Sequence, residues 1–132
     1  MNIFSLNTEA TRGGAAKTAV TLMKAINASN QNHRVTLFHT GDNHTDKNCV
    51  NENRSWSRET NALLQRMFGD AVIWDRGLAI KLARSIEQYD IVHMHNVHGY
   101  YIDYRKLFSL IGKGPAVWTW HDMWPITGRC GF

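Results

Sequence analysis

Residues 116–125 read AVWTWHDMWP, and within two positions they change from an apolar strand pattern to polar and aromatic groups. Val117–Trp120 is rich in β-branched and aromatic residues, which is typical of a buried strand. His121 and Asp122 follow directly, where that strand would reach its carboxyl end. Open parallel sheets bind ligands at this edge. The stretch therefore predicts an α/β protein with a site beside His121 and Asp122.

The rest of the chain alternates strand and helix patterns. Short apolar runs predict further strands at Ile3–Leu6, Val35–His39 and Asp90–His95, with a weaker one at Ala71–Trp74. Apolar residues at helical spacing lie between these runs and between Asp90–His95 and the last strand. This alternation predicts a three-layer α/β domain whose parallel sheet has four or five strands, in the order 3-2-1-4-5 if the weak strand forms.

Residues 40–57 are polar and lack periodicity, which predicts a long, poorly ordered loop.

Composition fits one ordinary globular domain: 132 residues, 43% hydrophobic and 20% charged. No apolar run approaches the ~18 residues of a membrane span, and the first residues do not resemble a secretory signal, so we expect a cytoplasmic protein. The net charge is +4, but the basic residues are spread along the chain, so we expect no nucleic-acid partner. Anionic substrates or an anionic membrane surface fit this charge better. Cys49 and Cys130 have neither disulfide-framework nor metal-site spacing.

Gly13 and Gly14 follow the first strand and open the first helix. Main-chain N–H groups at such a helix start can receive a phosphate or a carboxylate. The spacing matches neither a dinucleotide-binding fingerprint nor a Walker A loop. An anion-binding loop and a plain tight turn both remain open from the residues alone.

Histidines cluster near the end of the strand at 90–95. His93 and His95 project to one face of a strand, so a third ligand such as His98 or His121 would complete a metal site. The alternative is that these side chains hydrogen-bond sugars, phosphates or backbone. We expect no metal.

Aromatic residues surround the same segments. Trp118, Trp120, Trp124 and Tyr100–Tyr101 offer flat faces on which sugar rings stack. Alternate residues of a covered strand are commonly core residues, so Trp118 or Trp120 is expected there. Trp124 lies beyond the strand and is expected to bind substrate.

Three segments together carry a family resemblance: Gly13-Gly14-Ala15-Ala16, HMHNVHGYY at 93–101, and WTWHDMWPITG at 118–128. They resemble the amino-terminal domain of bacterial glycosyltransferases of family 4, in the branch that builds capsular and colanic-acid-type exopolysaccharides. The resemblance spans nearly the whole chain.

This resemblance implies one half of a GT-B fold, in which two Rossmann-like domains face each other across a cleft. Residues 1–132 would be the amino-terminal, acceptor-side domain, with the carboxyl-terminal donor-binding domain absent and the fragment alone inactive. The implied reaction moves a hexose, with retention and without a metal or other cofactor, from a nucleotide-diphosphate sugar to a glycan or lipid-linked acceptor. It would take place in the cytoplasm or at the inner face of the cytoplasmic membrane.

The resemblance also implies roles for residues. Gly13 and Gly14 would lie beside the donor phosphates, and His121 would be the catalytic residue near the reacting carbon. Asp122 would orient His121 or its loop. The remaining implied substrate contacts line the acceptor cleft and are His95, Asn96 and His98.

Two other functions stay open from the residues. One is a non-catalytic Rossmann module that binds carbohydrate or nucleotide. The other is a phosphohydrolase that uses a histidine-bound metal.

Overall fold

The computed structural model of the protein describes residues 1–29, 32–41, 43–52, 55–68, 76–112 and 114–127. These ranges contain five strands, which are β1 (Asn2–Leu6), β2 (Arg34–His39), β3 (Cys49–Asn51), β4 (Ile91–Met94) and β5 (Ala116–Trp118). They also contain five helices, which are α1 (Gly13–Ala28), α2 (Ser55–Phe68), α3 (Arg76–Ile86), α4 (Tyr104–Ile111) and α5 (Trp124–Thr127). None of the helices in these ranges is long and apolar enough to cross a bilayer.

The five strands form one parallel sheet in the order β3-β2-β1-β4-β5. Leu6 at the end of β1 lies opposite Phe38 of β2 and Met94 of β4. The predicted α/β class, parallel sheet and strand order are confirmed.

The third strand lies in a different place from the one predicted. The weak prediction at Ala71–Trp74 falls outside the described residues, and the third strand of the sheet is β3, inside the segment expected to be a poorly ordered loop. That expectation is wrong for Cys49–Asn51, and wrong again from residue 55, where α2 begins.

Main-chain hydrogen bonds, more than side-chain burial, hold β3. The Leu37 N–H donates to the Asn48 carbonyl at 2.9 Å, and the Glu52 N–H donates to the His39 carbonyl at 2.9 Å. Val50 is 42% exposed. An edge strand of this kind lacks the apolar periodicity on which a sequence-based prediction depends.

Helices cover both faces of the sheet. Alternate strand residues point to opposite faces, and two apolar clusters result. On one face β1 and β2 pack against α1, with buried core residues Ala10, Ala19, Met23, Val35 and Leu37. The opposite face packs against α3 and α4, with a core that includes Phe4, Leu6, Leu82, Val92, Met94 and Leu107. The predicted three-layer arrangement follows.

The prediction of a buried strand over Val117–Trp120 is wrong in extent and in burial. β5 ends at Trp118, and the exposed fractions of Val117 and Trp120 are 51% and 56%. β5 is an edge strand of this sheet. Its Trp118 face packs on Phe108 of α4, with ring centroids 5.5 Å apart, while Val117 on its other face is exposed.

Asn7 joins the carboxyl ends of three strands. Its Oδ1 accepts the Asn96 N–H at 3.0 Å, its Nδ2 donates to the Glu9 carbonyl at 2.6 Å, and its backbone N–H donates to the Phe38 carbonyl at 3.0 Å. The side chain is buried. Asn7 therefore fixes the loops after β1 and β4 relative to each other.

Replacing Asn7 by alanine should lower the free energy of unfolding by about 2–3 kcal/mol, because the part-buried Asn96 N–H and Glu9 carbonyl lose their hydrogen-bond partner. Urea unfolding measures this change. Asn2→Ala, at an exposed position of β1, is the matched control and should change stability by less than about 0.5 kcal/mol. Equal effects of the two substitutions would contradict the role given to Asn7.

Candidate functional site

The candidate site lies at the carboxyl edge of the sheet. In a parallel sheet all strands end at the same edge, so the segments after β1, β4 and β5 meet there. The His95 N–H donates to the Leu6 carbonyl at 2.8 Å, and the Thr119 N–H donates to the Met94 carbonyl at 2.9 Å. These bonds continue the ladder one residue past β4 and β5 and bring the polar residues of both segments together.

A direct hydrogen bond joins His95 and His121. Nδ1 of His95 lies 2.8 Å from Nε2 of His121, and the two rings stack with centroids 5.1 Å apart at 23°. His95 is only 2% exposed, whereas His121 is half-buried. A buried imidazole therefore supports a more accessible one.

His93 extends this histidine cluster. Its ring lies 4.2 Å from that of His95, centroid to centroid, so the predicted shared face is confirmed. Nε2 of His93 lies 2.8 Å from Oγ1 of Thr119. Burial, with smaller contributions from His93 and His121, lowers the pKa of His95 to about 3. Burial and the nearby His121 also lower the pKa of His93, so both imidazoles are neutral near pH 7.

His98 and Asp122 form a second polar pair. Oδ2 of Asp122 lies 2.8 Å from Nε2 of His98, and Oδ1 accepts the Trp124 N–H at 3.0 Å. The ring of Trp124 in turn lies 5.3 Å from that of His98. Of the two roles expected for Asp122, orienting its own loop agrees with these contacts. The imidazole to which Asp122 bonds is that of His98. None of the described contacts of Asp122 is with the ring of His121.

The loop between β4 and α4 is held in an unusual backbone conformation. Gly99 has φ of +108°, and a Cβ there would lie 2.8 Å from Cγ2 of Thr8. Tyr100 follows with φ of +65°, a left-handed conformation that costs a residue with a side chain roughly 1–2 kcal/mol. Thr8 Oγ1 donates to the His98 carbonyl at 2.6 Å, and buried Asn61 donates to the Tyr100 carbonyl at 3.0 Å. Such strain persists where neighbours enforce it, commonly at functional sites.

A shallow surface cavity of about 260 Å³, widely open to solvent, adjoins this loop. It is lined by Arg58, Glu59 and Ala62 of α2 and by Tyr100. Arg58 also lies 3.7 Å from Glu9 in the loop after β1. Cationic, acidic and aromatic groups thus face one opening.

Gly13 and Gly14 begin α1 and are exposed. Gly13 has φ of +85°, and a Cβ added at either glycine would meet no atom within 4 Å. The backbone conformation explains a glycine at position 13. At position 14 the glycine is explained neither by a positive φ nor by a neighbouring atom that would exclude a side chain. Arg12 supplies no side-chain cap to the helix.

Comparison with known proteins agrees with this architecture. The family model described as Glycosyltransferase Family 4 matches residues 12–132. The chain belongs to glycosyltransferase family 4. It is 26% identical, over 148 aligned positions, to a protein of Escherichia coli (strain K12) named "Putative colanic acid biosynthesis glycosyl transferase WcaC". That alignment covers 100% of the chain and 36% of the relative, so the chain spans about a third of the relative's length.

In this family 4 chain the residues predicted to bind substrate differ in accessibility. His95 is buried, and its Nδ1 bonds to His121. Asn96 is half-buried, and its carbonyl accepts the Tyr101 hydroxyl at 3.0 Å. Gly13 and Gly14 are exposed, and His121 is half-buried.

The aromatic residues also divide into accessible and structural ones. Tyr101 is buried, and burial raises the pKa of its hydroxyl. The Trp118 indole N–H donates to the His95 carbonyl at 3.0 Å, and Trp124 packs on Tyr104 of α4 with centroids 5.5 Å apart. Trp118 and Trp124 thus pack against the core, whereas Trp120 and Tyr100 keep exposed faces.

The candidate metal ligands make hydrogen bonds within the protein. Among the described residues, no group of three or more His, Cys, Asp or Glu side chains is placed to hold a metal ion. The predicted candidates His93 and His98 bond to Thr119 and Asp122, while His95 and His121 bond to each other at hydrogen-bonding distance.

Sequence reasoning missed four residues that shape the site: Asn7, Thr8, Arg58 and Thr119. Asn7 and Thr8 follow β1 as His121 and Asp122 follow β5, so the same strand-end rule would have found them. Arg58 is brought to the site by tertiary packing alone. Cys130 lies outside the described residues.

Acid should destabilise the folded chain through His95. The histidine pKa is about 6.5 in the unfolded chain and about 3 when folded. Between these values only the unfolded chain binds the proton, so stability falls as the pH falls from about 6.5 towards 3. From pH 7 to pH 5 this one group should remove about 2 kcal/mol.

Urea unfolding of the wild type and of His95→Asn at both pH values measures the effect. The variant should lose about that much of the pH dependence, whatever its stability at pH 7. An unchanged pH dependence would show that His95 is not the group responsible.

Proposed function

We propose that the protein acts in a retaining, metal-independent glycosyltransferase that moves a hexose from a nucleotide-diphosphate sugar to a glycan or lipid-linked acceptor. The pathway we propose is cell-surface polysaccharide synthesis. The family match and the similarity to a relative named for colanic acid biosynthesis support this class of reaction.

The observation that carries the proposal is the accessible His121 held by buried His95 at the ligand-binding edge of the sheet. Departure of the nucleotide diphosphate leaves an oxocarbenium-like sugar, so the site must bind both the leaving charge and the sugar at its reacting carbon. A preorganised polar group is effective here because it needs no reorganisation as charge develops. His121 is the group we assign to the sugar.

The start of α1 is the group we assign to the diphosphate. Main-chain N–H groups and the positive end of the helix dipole favour an anion there. Open space at Gly14, without an internal reason for glycine, supports the close approach of a ligand to this backbone.

The cavity beside Tyr100 is the surface we assign to the acceptor. The exposed Tyr100 ring can stack on a sugar, and Arg58 and Glu59 can hydrogen-bond hydroxyl groups. We place the reaction at the cytoplasmic face of the inner membrane, where a lipid-linked acceptor would be found. The net charge of +4 agrees with a weak attraction to anionic lipids.

His121→Ala in the complete enzyme should lower kcat, and kcat/KM with it, by roughly 10²-fold or more, the scale of losing one well-placed polar group in the transition state. The melting temperature should fall by a few degrees as well, because Nδ1 of buried His95 loses its hydrogen-bond partner. Steady-state kinetics and thermal melting measure both. A variant several degrees less stable with normal activity in its folded fraction would give His121 a structural role instead.

Gly14→Ala should raise stability by roughly 0.5–1 kcal/mol through helix propensity. It should also raise KM for the nucleotide sugar about 10-fold, because a methyl group would stand where the diphosphate approaches. Thr21→Ala, at an exposed position of the same helix, is the matched control and should leave KM unchanged. An unchanged KM in Gly14→Ala would remove the diphosphate from this helix start.

A further inference from the structure

The two ring nitrogens of His95 have different surroundings. Nδ1 bonds to Nε2 of His121 at 2.8 Å. Nε2 of His95 is buried and has no hydrogen-bond partner in the part of the chain that the structure describes. The low pKa of His95 means that the ring carries one proton at neutral pH, and that proton resides on one of these two atoms.

Burial decides between the two positions. A proton on Nε2 would leave a donor buried without an acceptor, and orphaned buried N–H groups are rarer than under-satisfied acceptors. A proton on Nδ1 is used in the bond to His121 and leaves only a lone pair unpaired. His95 is therefore the Nδ1–H tautomer and the donor in this bond.

The tautomer of His95 determines the tautomer of His121. Because Nε2 of His121 accepts the hydrogen bond from His95, a neutral His121 must carry its own proton on Nδ1. Nδ1 of His121 has no hydrogen bond among the described residues, so this N–H is available to a ligand.

We propose that His95 is a positioning residue that holds His121 in its Nδ1–H tautomer, so that His121 meets the donor sugar as a hydrogen-bond donor. The part of this statement that concerns the sugar rests on the proposed function. The tautomer does not.

The main chain keeps His95 in place for this task. Its N–H donates to the Leu6 carbonyl at 2.8 Å, and its carbonyl accepts the Trp118 indole N–H at 3.0 Å. The ring is confined between those of His93 and His121. Three strands thus contribute to the orientation of one imidazole.

Long-range ¹⁵N–¹H NMR of histidine-labelled protein near neutral pH tests the tautomer directly. In the wild type, His121 should show the Nδ1–H pattern. In His95→Phe, which keeps a ring and removes both nitrogens, His121 should shift towards the Nε2–H form or a mixture. His95→Asn places an amide near the Nδ1 position and should restore the Nδ1–H pattern. His39→Phe, the same substitution at another buried histidine, is the matched control and should change nothing at His121.

Kinetics of the complete enzyme test the consequence. His95→Phe should lower kcat about 10-fold, the equivalent of one hydrogen bond of about 1.4 kcal/mol, and His95→Asn should recover most of it. In a His121→Ala background, His95→Phe should have no further effect on kcat.

The outcomes separate the two proposals. An Nε2–H pattern for wild-type His121, or an Nδ1–H pattern that survives in folded His95→Phe, would overturn the role of His95. If His95→Phe does not fold, the wild-type spectrum decides: an Nδ1–H pattern for His121 supports the assignment, and an Nε2–H pattern overturns it. Confirmed tautomers without hexose transfer would support the positioning role and refute the proposed function.

Discussion

A buried polar group needs a hydrogen-bond partner, and the carboxyl edge of this sheet is arranged around that requirement. Asn7, His93 and His95 lie at or just past the ends of adjacent strands, where the backbone ladder stops. Each bonds to a neighbouring segment: Asn7 to the backbone after β4, and the two histidines to Thr119 and His121 after β5. The loops that form the site are fixed by these cross-links.

Burial of the two apolar layers offsets the energetic cost of this polar edge. One face of β4 supplies Val92 and Met94 to the core with α3 and α4, while its other face carries the histidines. Two features at the same edge are locally unfavourable for stability. They are the left-handed backbone of Tyr100 and a glycine inside the first turn of α1. Natural proteins commonly concentrate such costs at functional sites.

Much of the fold could be predicted because the strands with regular apolar patterns are the central ones. β1, β2 and β4 are short apolar runs with buried residues, and α1 shows its apolar stripe plainly at Ala16, Ala19 and Met23. β3 could not be found, because backbone pairing with β2 defines it. The burial of β5 was overestimated, since aromatic residues at an edge resemble those of a core strand. At the site, the rule that ligands bind where parallel strands end located His95 and His121. It could not tell which of the two imidazoles is accessible. That depends on packing between segments 26 residues apart in sequence.

We propose that His121 and the start of α1 bind the two halves of one donor molecule, the sugar and the diphosphate. A crystal structure of the complete enzyme with a non-hydrolysable nucleotide-diphosphate hexose tests it most directly. We predict a hydroxyl or ring oxygen of the sugar within about 3 Å of Nδ1 of His121, and diphosphate oxygens at hydrogen-bonding distance from the first-turn N–H groups of α1. A donor bound with its sugar away from His121, or its diphosphate away from Gly13 and Gly14, would contradict the account.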